Sequence, residues 1–243
     1  MNYKTRIFDD AEAVAHSVAD LIVSKAQHHF QLGKALTIAV SGGSTPKALF
    51  RLLAEEEYSS AIPWETIHLY WVDERCVPPA HNDSNFGMTY DALLQYSLVP
   101  VENIFRMKGE DIPDIEATRY AELLRRTLPA HEGIPVFDLL LLGMGNDGHT
   151  ASIFPDQMHL LTTRKMVAVA THPVSGQKRI TLTGPVINAA EQLVFVITGS
   201  DKAEIVATII GKTEEAKKFP ASYVHDKTGN AEFYMDRLAA GKL

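Results

Sequence analysis

The stretch FDLLLLGMGNDGH, Phe137 to His149, runs from an almost unbroken apolar segment straight into a glycine-rich turn. Leu139–Leu142 is too short for a helix of ordinary length and has no polar position to face water, which is the pattern of a strand buried on both faces. Such strands occur in parallel sheets covered by helices on each side. The rest of the chain repeats the theme. Ala35–Val40 is a short apolar run ending in a glycine turn, and Thr66–Val72 (TIHLYWV) is strand-like in its aromatic and β-branched content. Met166–Thr171, Arg179–Leu182 and Gln192–Thr198 are further strand candidates. Pro46–Glu57, Asn85–Tyr96, Ile115–Leu128 and Asp201–Ile210 carry helical spacing, and the first ~30 residues read as one strand and one long helix. No repeat, low-complexity tract or long linker interrupts the alternation. The expectation is an α/β fold in a single domain spanning residues 1–243, with a mostly parallel, Rossmann-like sheet and helices on both faces.

Composition narrows the class of function. Among 243 residues, 23 Lys and Arg against 30 Asp and Glu leave a net charge of −7, opposite to what a duplex-binding surface needs. A hydrophobic content of 46% with 22% charged residues is that of a folded globular chain, not a disordered one. The single cysteine, Cys76, excludes an internal disulfide and suits a reducing compartment. Asp9, Asp10, Glu12 and Asp20 break the stretch Met1–Val23, so no signal peptide is expected. The longest apolar runs, such as Leu193–Ile197, fall far short of the ~18 residues of a spanning helix. A soluble, cytoplasmic protein with no nucleic-acid and no membrane partner is expected.

In an open parallel sheet, ligands bind beyond the carboxyl ends of the strands, so the residues that follow each strand are the ones to read for chemistry. The first such loop, Ser41-Gly42-Gly43-Ser44-Thr45-Pro46, leads from a strand into a helix, with Thr45 suited to the N-cap and Pro46 to the first helical position. Its glycines allow a tight turn with N–H groups aimed at an anion, so Gly42, Gly43, Ser44 and Thr45 form either a phosphate cradle or a plain capped turn. The nucleotide P-loop pattern is absent. The second loop, Asp73-Glu74-Arg75, sets two carboxylates and a guanidinium at a strand end, where they suit polyol binding or proton transfer, or simply pair with one another.

The third loop is Gly143 to His149. Its glycines satisfy Gly-x-Gly-x-x-Gly, yet the acidic residue that a dinucleotide site wants about 20 positions on is missing, since the strand Met166–Thr171 runs into His172. Asp147 and His149 instead share the turn. A carboxylate that orients an imidazole and stabilises its protonated form makes His149 a natural general base. Arg179, opening one strand, and Lys202, just after another, are the cations available to a phosphate. No i,i+4 histidine pair, His-Glu-x-x-His, Cys-x-x-Cys or Gly-x-Ser-x-Gly occurs, so neither a zinc site nor a serine-hydrolase elbow has support.

Taken in order, Ser41–Pro46, Trp71-Val72-Asp73-Glu74-Arg75, Gly143–Pro155, Arg179–Thr183 and Gly199–Lys202 resemble the sequence blocks of the 6-phosphogluconolactonases, and the resemblance covers most of the chain. It implies hydrolysis of 6-phospho-D-glucono-1,5-lactone to 6-phosphogluconate in the oxidative pentose phosphate pathway, with no metal and no organic cofactor. His149 would then activate water, and Asp147 would orient His149 or hold a sugar hydroxyl. Gly42, Gly43, Ser44, Thr45, Arg179 and Lys202 would hold the phosphate, with Asp73 also in the binding site. Arg75 would contact either the carbonyl oxygen or the phosphate. The implied partner is a small phosphorylated sugar lactone, and a monomer is expected. The wider superfamily includes the glucosamine-6-phosphate deaminases, to which the Gly-Gly, Asp-Glu and Asp-Gly-His elements are also similar. Those enzymes carry Tyr where Arg75 stands and a catalytic Glu where Phe154 stands, which makes deamination the second reading. A phosphosugar-sensing domain without catalysis is a third.

Overall fold

Leu139–Leu142 is buried on both faces, as its lack of polar positions requires: Leu139 and Leu141 belong to one hydrophobic core, Leu140 and Leu142 to another. The same alternation divides the neighbouring strands, because successive side chains of a strand point to opposite faces. Ile38 and Val40 go one way and Ala39 the other; Leu69 and Trp71 go one way and Tyr70 the other.

The computed structural model describes residues 2–243. Its first half comprises β1 (Asn2–Phe8), α1 (Ala11–Gln31), β2 (Leu36–Val40), α2 (Ser44–Ala54), α3 (Glu56–Ser59), β3 (Ile67–Trp71), β4 (Asp73–Arg75), α4 (Asn85–Thr89), β5 (Ile104–Phe105) and α5 (Pro113–Thr127). The second comprises β6 (Ala130–His131), β7 (Ile134–Pro135), β8 (Leu139–Leu142), β9 (Val167–Thr171), β10 (Lys178–Leu182), α6 (Gly184–Asn188), β11 (Leu193–Ile197), α7 (Ala203–Ile210) and β12 (Asn230–Asp236). Seven parallel strands form the main sheet in the order β1-β12-β11-β8-β2-β3-β5. One core seats α1 and α2 through Val14, Val18, Leu49 and Phe50, and the other seats α5, α6 and α7 through Tyr120, Leu124, Val186 and Val206. The expected α/β architecture, with helices on both faces of a parallel sheet, is therefore present. In α1 the buried stripe is Val14, Val18, Ile22 and Ala26, and Asp10 caps the helix by accepting the Ala13 N–H at 2.8 Å.

The strand order positions the site. From β2 the chain moves outward to β3 and β5, then returns to β8 on the other side of β2 and continues to β11 and β12. That reversal opens a crevice between β2 and β8 at the carboxyl ends. Ser41 Oγ donates across it to the Leu141 carbonyl at 2.9 Å. Behind the crevice, Asp138 explains the one charge in the FDLLLL run. Its carboxylate accepts the Thr37 N–H at 2.8 Å and hydroxyl at 2.7 Å, and its own N–H donates to Thr37 Oγ1 at 3.0 Å. This clamp sets the register that pairs Ile38 with Leu139.

Three expectations are corrected. The segments read as strands at 166–171 and 179–182 do not join the parallel sheet; β9 and β10 pair antiparallel with each other, and β10 also pairs antiparallel with β4. The 172–177 connection is too short for a parallel crossover, which needs about a dozen residues or more. The helix expected over Asn85–Tyr96 splits into α4 and a π-helical turn, Tyr90–Leu94. The helix expected over Pro46–Glu57 starts earlier, at Ser44, and ends at Ala54, because Glu55 is extended at ψ 148°. The short strands β4 to β7 and the long β12 had no counterpart in the sequence reading; β12 pairs with β1 along its whole length, and its alternating Asn230 and Glu232 disguise a buried strand as a polar segment. Among the described residues, no helix is long and apolar enough to cross a membrane.

Asp138→Ala would leave the nearly buried Thr37 N–H and hydroxyl without their acceptor. An unsatisfied buried donor costs about 1–3 kcal/mol. A loss of that size is expected as a lower urea midpoint with the denaturant slope unchanged; an unchanged midpoint would show that the clamp contributes nothing.

Candidate active site

Because the main sheet is parallel, its four central strands β11, β8, β2 and β3 deliver their following loops to one edge. β3 adds a special feature there. Val72 donates its N–H to the Val40 carbonyl of the main sheet at 2.9 Å, while its carbonyl accepts the Leu182 N–H of the small sheet at 2.8 Å. One residue thus joins the two sheets, and the next, Asp73, emerges at their seam. The loops enclose a cleft of about 210 Å³, suited to a single small polar ligand. Gly42, Gly43, Ser44, Thr45, Asp73, Arg75, His149, Arg179 and Lys202 all line it. Asp147, the remaining candidate, stands behind His149.

In the first loop the expected cap is corrected. The N-cap is Gly43, at φ 113°, and Ser44 opens α2; the first helical bond runs from the Lys47 N–H to the Gly43 carbonyl at 3.1 Å. A side chain at Gly43 would be strained at that φ. Pro46 is tolerated inside the first turn because N–H groups there have no intrahelical partner. Thr45 is thereby released from capping, and its hydroxyl meets that of Thr198 at 2.8 Å. Lys202 bonds Asn146 Oδ1 and stands 3.4 Å from Asp201 Oδ2. Its turn is held from below by Asp236, whose carboxylate accepts the Gly199 N–H at 3.0 and 3.1 Å.

The third loop brings Asp147 and His149 together. His149 Nδ1 lies 2.5 Å from Asp147 Oδ1. A carboxylate only accepts, so Nδ1 carries the hydrogen, and in the neutral ring Nε2 holds the lone pair. Partial burial works against the Asp147 charge, but the His149 hydrogen bonds and charge outweigh it and hold the carboxyl below its ordinary range. The glycine spacing that resembled a dinucleotide fingerprint serves this pair: a Cβ on Gly145 would clash with the Nδ1–Cε1 edge of His149. Fully buried Phe154 supports the imidazole from the other side, with ring centroids 4.8 Å apart.

In the second loop the three residues separate in role. Glu74, almost wholly buried, accepts the N–H groups of Arg75, Asn85 and Phe86 at 2.7, 2.7 and 2.8 Å and the Ser84 hydroxyl at 3.1 Å. Burial pushes its carboxyl up against those stabilising bonds. Asp73 accepts the Ser152 hydroxyl at 2.6 Å and the Asn85 amide at 3.2 Å, and lies 3.9 Å from Arg179 Nη1. Arg75 turns away from both carboxylates and donates Nη1 to the Asp83 carbonyl at 2.6 Å. Arg75 and Arg179 are directly opposite each other across the β4–β10 pairing, and the Nε of each is buried without a partner. Like charges opposite one another in a sheet destabilise it unless an anion lies between them.

Several site residues escaped the sequence reading. Asn85 and Ser152 hold Asp73, Thr198 meets Thr45, and Asn146 engages Lys202; Asn146 and Ser152 lie within the Gly143–Pro155 block but were not singled out, and Asn85 carried a signal only as a helix start. His172 packs its ring 5.2 Å from that of Phe154, and its Nδ1 accepts two backbone N–H groups at 3.2 Å. Burial first, then the charges of Arg179 and His149, push His172 below the ordinary histidine range. Burial and the neighbouring Glu74 charge push the Cys76 thiol up to about 11, which makes it a weak nucleophile. Among the described residues, no group of three or more His, Cys, Asp or Glu side chains is arranged to hold a metal.

Comparison with known proteins places the chain in a family and agrees with its fold. A family described as glucosamine-6-phosphate isomerases/6-phosphogluconolactonase matches residues 9–233. The 6-phosphogluconolactonase of Treponema pallidum is 41% identical over 206 residues, covering 85% of this chain and 83% of its own. That of Haemophilus influenzae is 38% identical over 229 residues, 94% of this chain and 97% of its own. Among solved structures, the crystal structure of a protein named devB superposes with a TM-score of 0.94 at 40% identity, covering 99% of each chain.

Glu74→Gln would turn an amide NH₂ toward N–H and hydroxyl donors that now share a carboxylate. The variant should lose roughly 1–3 kcal/mol in urea titrations. Wild-type stability would show that Glu74 is not the anchor between β4 and α4.

Proposed function

The chain belongs to the family of glucosamine-6-phosphate isomerases and 6-phosphogluconolactonases, and from that premise we propose that its cleft opens 6-phospho-D-glucono-1,5-lactone to 6-phosphogluconate with His149 as the general base. The observation that carries this reading is the 2.5 Å contact between His149 Nδ1 and Asp147, on the wall of a cleft lined by three cations. Nε2 takes a proton from water as the water oxygen attacks C1 of the lactone. Asp147 stabilises the imidazolium that forms. Electrons move onto the carbonyl oxygen, beside the unpartnered guanidinium edges of Arg75 and Arg179. Collapse then breaks the bond between C1 and the ring oxygen, and His149 returns the proton to that oxygen. Arg75 and Arg179, with Arg179 5.6 Å over the Phe154 ring that supports His149, are assigned to the carbonyl oxygen and the product carboxylate. The phosphate is assigned to the N–H groups at the start of α2, Ser44, Thr45 and Lys202. No step calls for a metal or an organic cofactor.

One chain supplies every residue of this scheme, so the proposal includes action as a monomer. It also includes the cytoplasm as the setting, since a single unpaired thiol suits a reducing compartment. Within the family the choice against deamination rests on Phe154. That reaction needs a second proton-handling group beside His149, and Phe154 presents an apolar ring there.

Two measurements test the proposal. His149→Asn should reduce kcat on the lactone by ~10²–10⁴-fold, the usual contribution of a positioned general base, with an unchanged circular-dichroism spectrum. A near wild-type rate, after subtracting spontaneous hydrolysis, would remove His149 from that role. Separately, the wild-type protein should turn over the lactone yet release no ammonia from glucosamine 6-phosphate above a no-enzyme control. Robust release of ammonia with fructose 6-phosphate would reverse the assignment.

A further inference from the structure

Resting on that lactonase reading, we propose that Asn85 contacts the substrate directly: its carboxamide Oδ1 accepts a hydrogen bond from a hydroxyl of the sugar lactone, beside Gly42. Asn85 opens α4, and its backbone N–H is held by Glu74 Oε1 at 2.7 Å, so the residue cannot drift. Its side chain is almost completely buried, with 2% of the residue exposed, and it lines the cleft.

The orientation of the amide follows from its neighbours. Nδ2 donates to the Asp73 carbonyl at 2.9 Å and to Asp73 Oδ1 at 3.2 Å. Both are oxygens that only accept, so the nitrogen of the amide must face Asp73 and the oxygen must face away from it. On that side lies Gly42, the first glycine of the α2 loop. A Cβ on Gly42 would overlap Oδ1, so only glycine admits the amide at this wall. Among the described residues no hydrogen bond reaches Oδ1, although both hydrogens of Nδ2 are engaged. Oδ1 is not closed off from the cleft that Asn85 lines, so a ligand there can bring the donor that the protein does not supply. A sugar hydroxyl is the donor that fits: neutral, compact and present in several copies on a hexonolactone. A phosphate oxygen does not fit, because it brings no hydrogen and would face both Oδ1 and the Asp73 carboxylate.

The contact makes Asn85 a reader of hydroxyl pattern, distinct from the cations that read charge. It also has a second effect, since the same amide positions Asp73, so removing it lowers turnover of every substrate. The two effects separate when the substrate is changed along with the residue. The lactone and its 2-, 3- and 4-deoxy analogues, all phosphorylated at C6, are compared by kcat/KM in the wild type, Asn85→Ala and Asn85→Ser. In the wild type one analogue should fall at least about 10-fold below the parent lactone, the effect of withdrawing the hydroxyl from an acceptor that the site is shaped to use. In Asn85→Ala all rates drop, but that analogue and the parent should agree within about twofold. Asn85→Ser, whose side chain is too short to reach the ligand, should behave the same way and serves if the alanine variant does not fold. A wild type that treats every analogue like the parent would overturn the proposal. So would variants that keep the wild-type discrimination, since Asn85 would then act only through Asp73. Failure of the wild type to hydrolyse the parent lactone would instead overturn the functional reading, and this inference with it.

Discussion

A carboxylate removed from water must be surrounded by donors, and that requirement at two consecutive residues, Asp73 and Glu74, organises the whole cleft. Desolvating such a group costs several kcal/mol unless hydrogen bonds replace the lost water. Glu74 finds four donors, and three of them lie at the start of α4, so the end of β4 and the start of that helix cannot separate. Asp73 finds its donors in Asn85, from the same helix, and Ser152, from the segment that follows the Asp147–His149 turn. Arg179 arrives from β10, opposite Arg75. Segments far apart in the chain are thereby tied to one pair of acids, and the acids sit where Val72 hands the chain from one sheet to the other.

The groups proposed to react stand apart from this network. His149 and Asp147 are partly exposed, and they bond to each other within one turn instead of to the buried acids. Stability and chemistry are thus divided between different carboxylates. Glu74 is consumed by structure, Asp147 orients the imidazole, and Asp73 lies between, held by the protein but on the cleft wall. The two guanidinium groups remain under-satisfied by protein partners, which is the condition expected of a preorganised anion site: their attraction is kept for charge that develops on the ligand.

In the proposed assignment, Phe154 is the side chain that separates lactone hydrolysis from deamination on a shared fold. It is fully buried, packed at a tilt against His149 and edge-on against His172, and it lies under Arg179. An aromatic ring there excludes water and fixes the imidazole, but it moves no proton. Lactone hydrolysis needs one activated water and a stabilised oxyanion, and both can be supplied without it.

Much of this was legible in the residues themselves. Unbroken apolar runs such as Leu139–Leu142 specify strands buried on both faces, and parallel strands put their following loops at one edge, so Ser41–Thr45, Asp73–Arg75 and Gly143–His149 had to share a site. These are local properties: side-chain period, glycine at a turn, and the spacing of Asp147 and His149 in one loop. What the sequence could not determine depended on contacts between distant segments. Thr45 looks like a helix cap until Gly43 takes that position and Thr198 claims its hydroxyl. Arg179 looks like a lone surface charge until antiparallel pairing sets it against Arg75. Asn85 and Ser152 were not singled out, because a donor for a buried acid can come from any segment that the fold brings within 3 Å or so. Local sequence chose the strands, the turns and the reactive pair; only tertiary structure decided which polar groups would be left to meet the ligand, because hydrogen-bond satisfaction is settled through space and not along the chain.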